Sequence, residues 1–185
     1  MLENDELNYL GGLTDGEAFL GVGMWKDSRK KHTFGYGVRP VFQIALGFPD
    51  SLYLEHFHKA TGWGQIRPNR KSGHYWVVRD HHELSELLEL LKRHVKFPST
   101  LKKITLVTEL LSIMPGKRPC TKEIWKRELE IIVELRKMTK RKLNPKRHNA
   151  EAILSGFSPD GPPFEAMVQE REPGNATLIL KGRWR

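Results

Sequence analysis

The sequence predicts an α+β fold in the order helix, strand, strand, helix, strand, strand, helix, followed by further helices. Three observations carry this. A helix-spaced apolar stretch ends at Gly16-Glu17 and passes straight into a strand-like run. A second β-rich run follows after a basic loop. Beyond one amphipathic helix, a short hairpin leads into helices separated by prolines.

In the first helix Leu7, Leu10 and Leu13 are spaced by three and share one side. Gly12 and Gly16 also share a side, and two small residues at that spacing let another backbone approach closely. Glycine in a helix costs roughly 1 kcal/mol relative to alanine. The Gly11-Gly12 pair therefore calls for compensation, such as close packing against a second helix. Glu17 falls at the helix C-terminus, where the dipole disfavours a carboxylate and a cation would be welcome. The other reading is a solvated turn ended by Asp15-Gly16.

Glu17 to Lys26 reads as the first strand, with Gly21, Gly23 and Trp25 on one face. This Gly-x-Gly has no third glycine and opens no helix, so it is not a dinucleotide loop. Asp27 to Thr33 is a basic loop, Phe34 to Leu46 the second strand, and Gly47 to Asp50 a turn. Ser51 to Thr61 is an amphipathic helix ended by Gly62-Trp63-Gly64. Gln65 to Pro68 and Gly73 to Arg79 form a hairpin around residues 69–72. Asp80 caps a helix running to about Val95, which Pro98 breaks. Helices over Leu101 to Met114 and Thr121 to about Lys140 follow, separated by Pro115-Gly116 and Pro119. Residues 1–142 read as one domain and 143–185 as a basic appendage, with a short strand at Ala176 to Leu180.

The chain has 185 residues, a net charge of +9 and one cysteine, Cys120. Internal disulfides and cysteine zinc sites are excluded. No apolar run is long enough to span a membrane, and the acidic N-terminus is unlike a signal peptide. A soluble intracellular protein is expected. No Lys or Arg precedes Phe19, whereas 26–39 and 67–79 are rich in both. A field focused on particular segments suits nucleic acid.

Leu10-Gly11-Gly12-Leu13-Thr14-Asp15-Gly16-Glu17-Ala18, followed by Phe19, resembles the LAGLIDADG motif of a family of homing endonucleases. With the element order, the resemblance covers roughly residues 5 to 140. It implies an αββαββα core with a saddle-shaped antiparallel sheet and extra C-terminal helices. It implies that the motif helix packs on a twin through Leu10, Gly12, Leu13 and Gly16. Glu17 and the Gly16 carbonyl then face a catalytic Mg²⁺ (or Mn²⁺), and Asp15 is structural. One motif supplies one acid, so a homodimer is required. Mg²⁺ takes one or two carboxylates and keeps its waters.

Family sites also carry a lysine just before the first C-terminal helix. Lys102 is the candidate, with Lys96 and Lys103 as alternatives. The polar water-ordering residue near the end of the second strand points to Gln43. Strict alignment through Phe42-Gln43-Ile44 places Leu46 there instead, and no Arg or Lys follows in Gly47 to Asp50. A two-stranded ribbon fits the major groove. Trp25, Asp27, Arg29, Arg39, Gln43, Gln65, Arg67, Asn69, Arg70, His74 and Trp76 are the expected DNA readers. Lys26, Lys30, Lys31 and Lys71 are expected on phosphates. The resemblance implies an intron-borne endonuclease cutting a long pseudo-palindromic double-stranded site across the minor groove, leaving 3′ overhangs. The alternative is a non-cleaving relative, either a maturase bound to its host intron RNA or a transcription-factor-like binder.

Overall fold

The computed structural model describes residues 2–26, 36–69, 72–114, 121–139 and 150–155. Asp27, Arg29, Lys30, Lys31, Arg70, Lys71 and the Ala176 to Leu180 stretch lie outside the described residues, as does the side chain of Lys26.

The described elements are α1 (Asn4–Gly16), β1 (Phe19–Lys26), β2 (Tyr36–Leu46), α2 (Ser51–Thr61), β3 (Gln65–Pro68), β4 (His74–Val78), α3 (His81–Leu91), α4 (Pro98–Ile113), α5 (Lys122–Lys137) and α6 (Ala150–Ser155). This is the α+β order that the sequence predicts. The strands form one antiparallel sheet in the order β1-β2-β4-β3. Helices α2, α3, α4 and α5 all contact it. Leu10, Leu20, Phe42, Ile44, Leu54, Phe57, Trp76, Val78, Leu87 and Val107 are buried in one core between helices and sheet. Beside it, Trp125, Leu129 and Ile132 of α5 and Ala150 and Ile153 of α6 pack with Val22, Met24 and Val38 of the sheet.

Local chemistry explains the boundaries. Glu3 and Glu6 close a capping box on α1, and the Glu3 N–H donates to Glu6 Oε2 at 2.7 Å. Gly62, at φ 73°, ends α2 in the left-handed conformation that glycine adopts most cheaply. Asp80 accepts from the His82 and Glu83 backbone N–H groups and starts α3. Two helix boundaries differ from expectation. α3 stops at Leu91 rather than Val95, and α4 begins at Pro98 rather than Leu101. Proline is favoured at the first helical position, where its missing N–H costs nothing. Pro98 therefore starts a helix instead of breaking one. The short helix α6, packed on α5, was not expected from the composition of the appendage.

Glu128 of α5 is 4% exposed, and burial pushes its carboxyl up from 4.5 to about 7. Between those values the folded protein holds a proton that the unfolded chain has already lost. Stability therefore falls as pH rises through this window and stays lower above it. Glu128→Gln is expected to raise stability at pH 8 by about 1–2 kcal/mol and to leave it nearly unchanged at pH 4. Thermal melts of both proteins across that range check the sign.

Candidate nucleic-acid interface and its acidic end

The sheet has two distinct faces, and strand register assigns every residue to one of them. Phe42 pairs with Leu20 and Val78, and Ile44 pairs with Trp76. Because side chains alternate along a strand, Leu20, Val22, Val38, Phe42, Ile44, Leu46, Ile66, His74, Trp76 and Val78 point toward the helices. The opposite, outer face carries Phe19, Gly21, Gly23, Trp25, Gly37, Arg39, Val41, Gln43, Ala45, Gln65, Arg67, Tyr75 and Val77. Arg79 follows Val78 and continues this face by the same alternation.

The expected readers Trp25, Arg39, Gln43, Gln65 and Arg67 therefore share one face. Arg39, Gln65 and Arg67 are exposed there. The Trp25 ring lies against Gly37, where an added Cβ would collide with it. The Arg39 guanidinium sits 5.2 Å above that ring, a cation–π contact that holds it off the sheet. Arg67 Nη2 donates to Gln65 Oε1 at 2.8 Å. Asn69 accepts from the Tyr75 hydroxyl at 3.0 Å, which places it at the same end of the hairpin.

Two expected readers are not on this face. Trp76 is 0% exposed. Its indole N–H donates to the Trp63 carbonyl at 2.8 Å, and its ring packs edge-on to Phe42 and stacks on Phe57. His74 turns toward α2, with Nδ1 3.2 Å from Ser51 Oγ and 3.3 Å from Glu55 Oε1. The cause is hairpin parity: Arg67 pairs with Tyr75, whereas His74 pairs with Pro68 and Trp76 with Ile66. The outward residues of β4 are thus Tyr75 and Val77, continued by Arg79. Tyr75 and Arg79 were missed by the sequence reading, because the pairing with β3 that turns them outward cannot be counted across the turn.

The acidic end lies where α1 hands over to β1. Glu17 is the C-cap of α1, and its N–H donates to the Leu13 carbonyl at 2.8 Å. The side chain is exposed and, among the described residues, makes no hydrogen bond or ion pair. Phe19, two residues on, begins the outer face and pairs with Gln43. The sheet therefore brings Gln43 close in register to the acid. Leu46 faces the helices and packs on the core, so it offers nothing to the outer face.

Asp15 does fixed structural work. Its carboxylate accepts from the Lys96 N–H at 2.7 Å and the Phe97 N–H at 3.2 Å, pinning the start of α4 to the end of α1. Lys96 thus emerges beside the last turn of α1. Lys102 does not: its ammonium lies 2.5 Å from Glu134 Oε1 of α5. That pair also lowers the Glu134 carboxyl below its usual range.

The glycines of α1 divide. A Cβ on Gly11 would strike the His94 carbonyl just beyond α3, so Gly11 serves contact within the chain. Gly12 and Gly16 are exposed, and a Cβ on either would meet open space. Leu10 is 0% exposed and belongs to the chain's own core, so it is not available to a twin helix. That expected contact is corrected: the exposed side of α1 carries Tyr9, Gly12, Leu13 and Gly16, spaced by three and four. Tyr9 is 44% exposed and packs edge-on to the half-exposed Tyr53 of α2 at 5.2 Å.

Among the described residues, no three His, Cys, Asp or Glu side chains gather into a metal cluster. What one chain offers a hard cation here is oxygen, from the Glu17 carboxylate and the adjoining Gly16 carbonyl. That donor set fits Mg²⁺, which takes few protein ligands.

No family model and no curated protein matches the chain. Solved structures do match it. The group I intron-encoded homing endonuclease I-CeuI, complexed with DNA, is 20% identical with a TM-score of 0.71, over 84% of this chain and 77% of that one. The homing endonuclease I-CvuI, in complex with its target in the presence of Ca, is 18% identical with a TM-score of 0.66, over 80% and 88%. The LAGLIDADG homing endonuclease I-SmaMI, bound to cleaved DNA, is 19% identical with a TM-score of 0.64, over 88% of this chain but 51% of its own. The protein has the LAGLIDADG homing-endonuclease fold.

Proposed function

We propose that the protein is a homodimeric, Mg²⁺-dependent, site-specific endonuclease of double-stranded DNA. The observation that carries this is the position of Glu17. It is an exposed acid, without a side-chain partner among the described residues, at the junction of the open α1 face and the outer sheet face. A twin helix against Gly12 and Gly16 brings two such acids together. The sheets beside them offer Trp25, Arg39, Gln43, Gln65, Arg67, Asn69, Tyr75 and Arg79 to a major groove. The likeness in fold to homing endonucleases solved with DNA supports the nuclease reading.

Each chain contributes one acid, so a site with two carboxylates draws the second from its twin. Glu17 and the Gly16 carbonyl would hold the cation, which would supply Lewis acidity at the phosphate. Asp15 keeps the end of α1 in place by its grip on Lys96 and Phe97. Gln43 orders water at the phosphate. Lys96 is better placed than Lys102 to assist it, because Lys102 must first leave Glu134. Lys96→Met is expected to cost about 10²-fold in cleavage rate, and Lys102→Met under tenfold. Single-turnover assays separate the two, and the reverse order would restore Lys102.

Incubation with Mg²⁺ and a randomised duplex library should give discrete double-strand products. Binding without products would replace the enzyme reading with a non-cleaving binder. The same experiment run with Mn²⁺ in place of Mg²⁺ and with RNA competitor reports which metal serves and whether the protein also binds RNA.

A further inference from the structure

This inference rests on the DNA reading above and assigns a role to one part of the sheet face. Arg39 of β2, Arg67 of β3 and Arg79 after β4 line one polar cavity of about 330 Å³, together with Gln65, Asp80 and Glu83. Arg39 and Arg67 come from separate strands and Arg79 from the residue after a third, and strand alternation turns all three to the same side.

Two of the arginines are held in place. Arg39 rests on Trp25 and Arg67 on the Gln65 side-chain oxygen. The two acids of the cavity are engaged elsewhere. Asp80 accepts from the His82 and Glu83 backbone at 2.9 and 3.2 Å, and Glu83 Oε2 accepts from the Gly64 N–H at 3.0 Å. Among the described residues neither acid forms an ion pair with any of the three arginines. Partial burial, followed by the charges of Arg67 and Arg39, loosens the hold of Arg79 on its proton. The three guanidiniums share one cavity, and among the described residues none of them pairs directly with its carboxylates.

Charge then selects the ligand. Three guanidiniums against two carboxylates leave one positive charge in the cavity. A phosphodiester carries one negative charge and several acceptor oxygens, which suits more than one guanidinium. A guanine edge is neutral and takes a single arginine through O6 and N7, so it would leave the net positive charge of the cavity unmatched. We propose that Arg39, Arg67 and Arg79 together seat one backbone phosphate of the bound duplex. On this reading Arg39 and Arg67 fix the register of the protein on DNA, and base reading falls to Gln43, Gln65, Asn69 and Tyr75.

The test titrates wild-type protein, Arg79→Met and Arg79→Lys with a labelled random-sequence duplex pool over a range of salt, and sequences the bound fraction. Loss of one phosphate contact should flatten the slope of log K against log salt by about 0.9. Arg79→Met should show this, weaken all sequences by a similar factor, and melt at the wild-type temperature. Arg79→Lys should keep most of the slope, because an ammonium also binds phosphate. An unchanged slope with selection relaxed at one guanine would overturn the phosphate assignment in favour of base reading. Unchanged binding would remove Arg79 from the interface altogether. Wild-type protein that binds no duplex would sink the DNA reading itself, and this inference with it.

Discussion

Glu17→Gln is expected to lower double-strand cleavage by at least about 10³-fold while changing duplex affinity less than about threefold. The amide is nearly the same size and shape as the carboxylate, but it lacks the charge that binds a hard cation. The affinity should survive because the residues proposed to meet DNA lie on the sheet, which starts two residues later at Phe19. The fold should survive too, since Glu17 is exposed and its side chain has no partner among the described residues. Removing a carboxylate from a helix C-terminus even relieves an unfavourable interaction with the dipole. The variant should thus melt at or slightly above the wild-type temperature while losing catalysis. Nicking of a plasmid carrying a selected site, run beside an anisotropy titration, measures both. Cleavage retained within tenfold would mean that the acid does not hold the metal.

That contrast between stability and activity also shows where the sequence was legible. Helix and strand periods placed α1, β1, β2, α2 and the hairpin, because each combines a clear apolar spacing with turn residues at its ends. The acid at the end of α1 could be read because its position is chemically awkward, and awkward residues stand out against a regular pattern. Parity across the hairpin did not follow from composition. His74 and Trp76 are of residue types suited to DNA contact, yet one pairs with Pro68 and the other with Ile66, both on the helix side. Only the partner strand fixes that, and a slip by one residue exchanges the two faces. Arg79 was hidden for the same reason. It stands just past the last paired residue and joins Arg39 and Arg67 only through the fold. Lys102 looked available until α5 brought Glu134 to it from 32 positions along the chain.

The two glycines at the centre of α1 make the second large prediction, because the fold gives neighbouring residues opposite surroundings. Gly11→Ala is expected to destabilise the chain by about 1–3 kcal/mol, since its new Cβ meets the His94 backbone, which has no flexible end to yield. Gly12→Leu should do the reverse to the isolated fold. Its Cβ points into open space, and leucine is a better helix former than glycine by close to 1 kcal/mol. A monomer would therefore gain stability from Gly12→Leu. A dimer built on close approach of two α1 helices would lose its contact, with self-association weakened by at least about 30-fold, the cost of a central interface residue. Sedimentation of the wild type and of both variants, with melts at low concentration, gives each quantity separately. Cleavage of both strands should fall with dimerisation, because each chain brings one acid. If Gly12→Leu sediments and cleaves as the wild type does, the open face of α1 is not where two copies meet, and the pairing of two Glu17 carboxylates loses its geometric basis.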